Sequence, residues 1–553
     1  MTPEREEKID EVVQLLIEAR KTSPLGIDSV GELITKEQNE DLHACPKLHG
    51  VMVQRNRSWN HTRPLYRLPP EILIEIISIA LSEDISFPHC YMERLQKFAS
   101  VSHQWWLLAI GTPSFWKVAS SHLPLELLQQ VLLRSAGHLL NVVGYDNDSI
   151  PIKLFLSLVA EHAHRWRSLL LSGKEYDITA NAWNKGLAHL SAPALEVLTL
   201  EGKSYRTLDI ASWSVESLRH VKLSTACISW ESKTLSGLQR LELENPGPRA
   251  PSGSQLLAIL AASPDLVELK LGKFHQPQDS SHAPLQTMSV ELPMLETLSV
   301  KDCSQEMTHC LLAAIHTPIC TSFAIDYCQG TADNLGLFKD PELAHIVPVL
   351  VTSLRSSPIV MIEWSRENKP TRISTSAKNV QLKLGNSDSM LLVGLLDALE
   401  NVGSSEIHLH FYRGSSPGTV IPPLRSSKYS ITSICIYGTE SHELPALVRF
   451  LTELAVVDGI AQWPFPRLKW VTIFNSNLGQ SGFVEAIVKS IQMNGDRLER
   501  AGGAGVAEPC IPFRLTVDEL PSGEGPSLTE EDVNVIRRVL GASNFTFFPR
   551  LRV

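Results

Sequence analysis

The sequence predicts an α/β repeat fold: a small all-helical module followed by an irregular solenoid of short strands and returning helices. Three observations predict it. The stretch "LPPEILIEIISIAL" (68–81) is a helix whose only polar stripe is Glu71, Glu75 and Ser78, so it needs cover on most of its surface. From residue 166 onward a six-residue shape, apolar at positions one, four and six, recurs along the chain. Between its copies lie stretches with helical spacing, such as "GSQLLAILAASP" and "MTHCLLAAIHTP".

Composition sets the outer limits. The chain has 553 residues, 43% hydrophobic and 20% charged, enough to bury a sizeable core and too apolar for disorder. Its formal net charge of -10 is spread out, which argues against nucleic acid as a partner. The charged start "MTPEREEKIDEVV" lacks the apolar core of a signal peptide. No uninterrupted apolar run approaches the roughly 18 residues of a membrane span, so no membrane association is expected. Nine cysteines, an odd number with no CxxC, point to free thiols in a reducing compartment, cytoplasmic and/or nuclear. The sequons at Asn60, Asn147 and Asn544 are then expected to go unused.

Residues 1–64 read as an amphipathic helix and a linker. Ile9, Val12, Val13, Leu16 and Ile17 share one helical face, with acidic residues at the start and Arg20 and Lys21 at the end, as the helix dipole prefers. Residues 65–120 read as a compact helical module. Proline opens the helix at "LPPE". Ile72, Leu73, Ile76, Ile77, Ala80 and Leu81 make its continuous apolar face, while Ile74 and Ile79 lie off it. A polar link runs from Ser82 to Glu93. Then Leu95, Phe98, Val101, Trp105 and Leu108 recur at three- and four-residue steps, predicting one second helix. Gly111 and Pro113 end it, and Phe115 and Trp116 add aromatic packing. So few short helices struggle to cover their own apolar surface.

Residues 121–550 read as the repeat region. The shape appears as "WRSLLL", "LEVLTL", "LRHVKL", "LQRLEL", "LVELKL", "LETLSV" and "CTSFAI", with weaker echoes in "NVQLKL", "SEIHLH", "ITSICI" and "LKWVTI". Clear copies lie 20 to 29 residues apart, the leucine-rich-repeat range, and units of this kind must stack to bury their leucines. An Asn or Cys at position nine occurs in register only at Cys303 and Cys328, which are expected to be buried, reduced and bonded to the turn beneath the strand. Residues 500–526, rich in Gly, Pro and Glu, read as an exposed loop. Ser527 with Glu530 reads as a capping box for a last helix ending near Gly541.

If the leucines point inward, positions three, five and seven of each unit line the opposite face of the sheet. There Lys222, Glu242 and Lys270 alternate in sign on adjacent strands, with Arg240 beside them. Either these charges pair with one another across the strands, worth only about 0–1 kcal/mol each at a surface, or the four residues are the target-binding set, a mixed-charge surface suited to protein and not to nucleic acid.

Chemistry is mostly sought without success. "GSSPG" (414–418) matches a nucleophile elbow, but the residue after serine is Pro417, which has no N–H for an oxyanion. "AGGAGV" (501–506) lacks the Lys-Ser/Thr of a phosphate loop. His162 with His164, and His408 with His410, place imidazoles close together, yet no further ligand is visible for a metal. No catalytic residue, cofactor or metal is expected, and the chain reads as no enzyme.

"LPPEILIEIISIAL" with "VSHQWWLLAIGTPSFW" resembles the F-box, and the later units look like those of F-box/leucine-rich-repeat proteins, fungal ones especially. The resemblance spans residues 65–118 by motif and 166–475 by repeat texture. It implies that an Skp-type adaptor, and through it a cullin, covers the helix at Leu68, Pro69, Ile72, Ile76, Ile77, Val101 and Trp105. The family's fold is a small F-box followed by a leucine-rich-repeat solenoid. The implied function is that of a substrate-recognition subunit of an SCF-type ubiquitin ligase, the repeats holding a protein target. The alternative is a repeat scaffold that binds proteins without directing degradation. One departure from the family pattern is the long link between the helices.

Overall fold

The computed structural model describes residues 64–82, 88–145, 148–173, 190–202, 213–230, 235–247, 250–274, 289–327, 341–364, 371–377, 380–384, 406–412, 431–437, 467–475, 482–500, 513–519 and 528–548, with short pieces beside them. The amphipathic helix expected at 4–21, Cys328, "GSSPG" and "AGGAGV" lie outside the described residues. The chain forms two compact units, divided after Pro151.

The first unit opens with helix α1 (Pro70–Ser82), followed by α2 (Pro88–Val101) and α3 (His103–Gly111). The single helix expected from Leu95 to Leu108 is two. Ser102 breaks it: its backbone is extended and its side chain accepts from the Trp105 amide, capping α3. Helix α2 also begins five residues before Glu93, at Pro88, so the link is shorter than the polar stretch suggested. A 3₁₀ turn at Pro113–Trp116 buries Phe115 and Trp116. The Tyr91 hydroxyl donates to the Phe115 carbonyl at 3.1 Å and Trp116 Nε1 donates to Ala109 at 2.8 Å. Both aromatics thus bury a large apolar body with its polar atom satisfied. Strand β1 (Val118–Ser120) pairs in parallel with β2 (Leu140–Tyr145), and helix α4 (Leu125–Arg134) connects them. The boundary drawn at 120 in the sequence therefore falls inside this unit, because β1 finds its partner twenty residues later.

The second unit starts with α5 (Ile152–Ala160) and β3 (Trp166–Ser172). Strands β4 (Val197–Glu201), β5 (His220–Ser224), β6 (Arg240–Glu244), β7 (Glu268–Gly272), β8 (Thr297–Lys301) and β9 (Ser322–Tyr327) follow, each parallel to the one before. Helix α6 (Gly253–Ala261), opened by a Ser252/Gln255 capping box, returns the chain from β6 to β7. Helix α7 (Gln305–Ala314) does so from β8 to β9. Every strand from β3 to β9 falls on one of the repeated hexads.

After α8 (Val347–Arg355) the order changes. Strands β10 (Ile359–Trp364), β11 (Thr371–Thr375) and β12 (Val380–Leu384) form an antiparallel meander, and it is β12 that lies beside β9. Neither β10 nor β11 falls on one of the repeated hexads. The connections of this meander are too short for a parallel crossover, which needs a dozen or more residues. Parallel order then resumes from β10 through β13 (Glu406–Phe411), β14 (Ile431–Tyr437), β15 (Trp470–Asn475), β16 (Arg514–Glu519) and β17 (Phe545–Phe548). Helices α9 (Phe483–Arg500) and α10 (Glu530–Leu540) serve the last two strands. The result is an α/β unit with a large, mostly parallel, open sheet.

Two readings near the end shift. Residues 500–526, expected as a loop, contain β16, where Leu515 and Val517 alternate inward beneath the Gly/Pro-rich composition. The last capping box is Thr529 with Asp532, two residues beyond the expected pair, although Gly541 ends the helix with φ 87° as expected.

One apolar row runs unbroken across this ladder. It passes from Leu171 through Leu200, Leu223, Leu243 and Leu271 to Val300 and Ile325, then through the meander to Leu409, Ile434, Val471, Leu515 and Phe545. Each of these residues is buried. A fully buried leucine stabilises by about 1.5–3 kcal/mol relative to exposure, so this row is the spine of the unit. The turn leaving β5 to β8 is also repeated. Thr225, Asn245, Lys273 and Asp302, each the first residue past its strand, have φ between 48° and 52°. That left-handed conformation is tolerated because the amides of Thr225, Asn245 and Lys273 donate to the last carbonyl of the next strand at 2.7–2.9 Å.

Candidate protein-binding surfaces

In the first unit, α1 buries Leu73, Ile77 and Leu81, one turn apart, against its own unit. Its other side stays apolar and open: Ile72 is 42%, Ile76 40% and Ile79 65% exposed. Pro69 and Val101 are exposed and Leu68 half-buried, so these lie at the surface with Ile72 and Ile76. Ile77 and Trp105 do not. Both are core side chains, and the Trp105 ring stacks on Phe98 with centroids 5.8 Å apart. Trp105 Nε1 is buried with no acceptor among the described residues. Their expected place on a docking face is thus corrected to a supporting one, because a helix turned to bury Leu73 and Leu81 carries Ile77 inward with them. Ile79, set aside in the sequence as off the apolar face, is the most exposed of the isoleucines.

In the second unit, the charged residues read from positions three and five do fall in register. Lys222, Glu242, Lys270 and Ser299 form one row, and His220, Arg240, Glu268 and Thr297 the next. They mostly pair with one another. Lys270 bridges Glu242 at 3.0 Å and also meets Glu268, which Arg240 reaches at 3.6 Å. Lys222 turns to Glu201 on β4 at 3.2 Å, not to Glu242. Burial opposes the Lys270 charge, but the Glu268 and Glu242 carboxylates outweigh it and hold its pKa above an ordinary lysine. Burial, then Arg240 nearby, lowers His220. Pairs this exposed contribute about 0–1 kcal/mol each, so the face is an internally neutralised charge lattice.

The same face of the later strands differs, and the sequence reading passed over it. Tyr412, just past β13, stacks on Tyr437 of β14 with centroids 4.9 Å apart, and Tyr437 stacks on Phe474 of β15 at 4.6 Å. Four residues back along β15, Trp470 is 45% exposed and carries the Arg514 guanidinium 5.4 Å from its ring centre. Between these rows lie His410, Cys435, Thr472, Thr516 and Thr546. The available signal was an aromatic at the same register in three weak repeats, "HFY", "CIY" and "TIF". His408 and His410 share this face, as the strand period requires, but Glu406 meets His408 at 3.7 Å and Lys469 as well. Burial lowers the His410 pKa and raises that of Cys435, so neither is charged at neutral pH.

Smaller clusters have structural accounts. Cys303 is buried and unpaired, its thiol donating to the Leu271 and Lys301 carbonyls and raised by burial to about 11. The thiol is buried as expected, but its acceptors are strand carbonyls, one of them in the preceding repeat, rather than the turn beneath the strand. Ser121, Asp148 and His122 meet, but the carboxylate sits between hydroxyl and imidazole, the wrong order for a nucleophile. Among the described residues no three His, Cys, Asp or Glu side chains gather as metal ligands, and no helix is long and apolar enough to cross a membrane. No protein-family model matches this chain, and no curated protein matches it.

Proposed function

We propose that the chain is a substrate-recognition subunit of an SCF-type ubiquitin ligase. The first unit docks an Skp-type adaptor, which brings a cullin, and the sheet of the second unit receives a protein target in the cytoplasm or nucleus. The observation that carries this reading is the open strip of Ile72, Ile76 and Ile79 on a helix whose other face already serves the unit's own core. Three isoleucines left in water on one short helix are an uncovered binding face in waiting. The F-box resemblance of the same residues says what covers them. Catalysis falls to other subunits, so this chain needs no reactive groups of its own.

The test is co-purification with an Skp-type adaptor. Ile72→Asp combined with Ile76→Asp, both at the surface, should abolish adaptor capture while the thermal midpoint stays within a few degrees. An adaptor retained at wild-type level by this folded variant sinks the reading. Ile77→Asp is the poorer probe, since a charge in that buried position unfolds the unit and loses binding for the wrong reason.

A further inference from the structure

The sheet of the second unit ends on β17, which pairs with β16 on one side; among the described residues no strand lies on the other. The Leu515 amide donates to the Asn544 carbonyl at 2.8 Å, so Asn544, Thr546 and Phe548 turn their backbone groups toward β16. Phe545 and Phe547 alternate with them, and their N–H and C=O groups point away from the sheet. Such a row is a template for another strand, and proteins usually block it with charge, proline or a bulge. "FTFF" carries no charge and no proline, and its register with β16 runs without a shift.

The side chains are left open at the same edge. Phe545 and Phe547 share the inner face with their register partners Leu515 and Val517, yet only Phe545 is buried. Phe547 is half-buried, with no further strand beyond it, and Phe548 on the opposite face is 52% exposed.

An antiparallel copy of the same strand fits these features. A two-fold axis at Thr546 sets Phe545 against Phe547 of the second copy, so the outward amide and carbonyl of each meet those of the other. The two rings then pair across the strands on the inner face, as aromatic cross-strand neighbours favour, and the open side of Phe547 is covered. Thr546 meets its own copy on the outer face, and no like charges are brought together. Other axes fit less well. An axis at Phe547 would set Phe545 against Pro549, which has no N–H. An axis at Phe545 would set Phe547 against Ser543, whose carbonyl already accepts from Arg514 at 3.3 Å.

We propose that the chain forms a two-fold homodimer in which β17 pairs antiparallel with β17 of a second copy, one sheet continuing through both. This pairing does not depend on what the first unit docks.

The full chain is weighed by sedimentation equilibrium from micromolar to sub-millimolar concentration. Its mass should rise from 61.3 kDa toward twice that value. The Phe545 and Phe547 amides should exchange with deuterium more slowly as the dimer forms, a reading that needs no variant. Thr546→Lys and Thr546→Glu should each weaken the dimer about ten-fold or more, because like charges would stand directly opposite at the axis. Mixing the two variants should restore it, and an unchanged thermal midpoint shows each to be folded. A chain monomeric throughout, a dimer that persists in both charged variants, or a mixture that fails to restore it would each overturn the proposal. So would a monomer whose Phe545 and Phe547 amides are protected at every concentration, since its own chain would then cover the edge, or one that takes up an extended peptide there instead.

Discussion

The sheet of the second unit has one face built in two ways. Across β4–β8 it carries lysine, arginine and glutamate that bond to one another across adjacent strands. Across β13–β16 the same positions hold stacked aromatics, threonines and uncharged histidine. The buried row behind both is alike, leucine in the first and isoleucine, valine or leucine in the second. The backbone thus repeats while the outward chemistry does not. Such a sheet folds by its inner row, and only its outer row is free to vary for binding. The charge lattice satisfies itself, so it offers a partner little; the aromatic strip leaves apolar rings in water.

Breaking the shared inner row should have the largest effect and should not distinguish the halves. Leu243→Ala in β6 and Ile434→Ala in β14 should each cost about 2–5 kcal/mol, read by urea unfolding. A cost below 1 kcal/mol in one half would show that the row is not a common spine.

Outer-row changes should separate them. Reversing Lys222, Arg240 and Lys270 to glutamate together removes bridges worth about 0–1 kcal/mol each and creates like-charge neighbours. Stability should fall modestly, and added salt should recover much of it, because these pairs are half-exposed. Adaptor capture should be unchanged. If the triple reversal abolishes target capture, the charge lattice and not the aromatic strip is the recognition surface.

The smallest effect is a pH dependence carried by His410 in the aromatic half. Burial lowers the folded pKa of His410 below its ordinary 6.5, so the unfolded chain binds the proton more readily. The stability from neutral His410 is complete above pH 6.5 and declines as pH falls through the folded value. His410→Gln should flatten that part of the stability–pH curve. An unchanged slope would mean that the imidazole is wetter than its neighbours imply.

Much of this was written in the residues themselves. The hexads from "WRSLLL" to "LKWVTI" all became strands, because alternation with an apolar triad can satisfy a half-buried sheet in only one register. The rows Lys222–Glu242–Lys270 and His220–Arg240–Glu268 followed from that register alone. Gly541 as a helix stop and the helix of Gly253–Ala261 from its apolar spacing were likewise legible. Three things required the tertiary structure. Ile72 and Ile77 look equivalent by period, and only packing against α2 and the rest of the unit decides which is core and which is surface. The meander of β10–β12 depends on which strand is free to pair after β9, a contact between segments far apart in sequence. The aromatic stack arises from Tyr412, Tyr437 and Phe474, spread over sixty residues. Sequence fixes each ring's place on its own strand, but stacking exists only once those strands lie side by side.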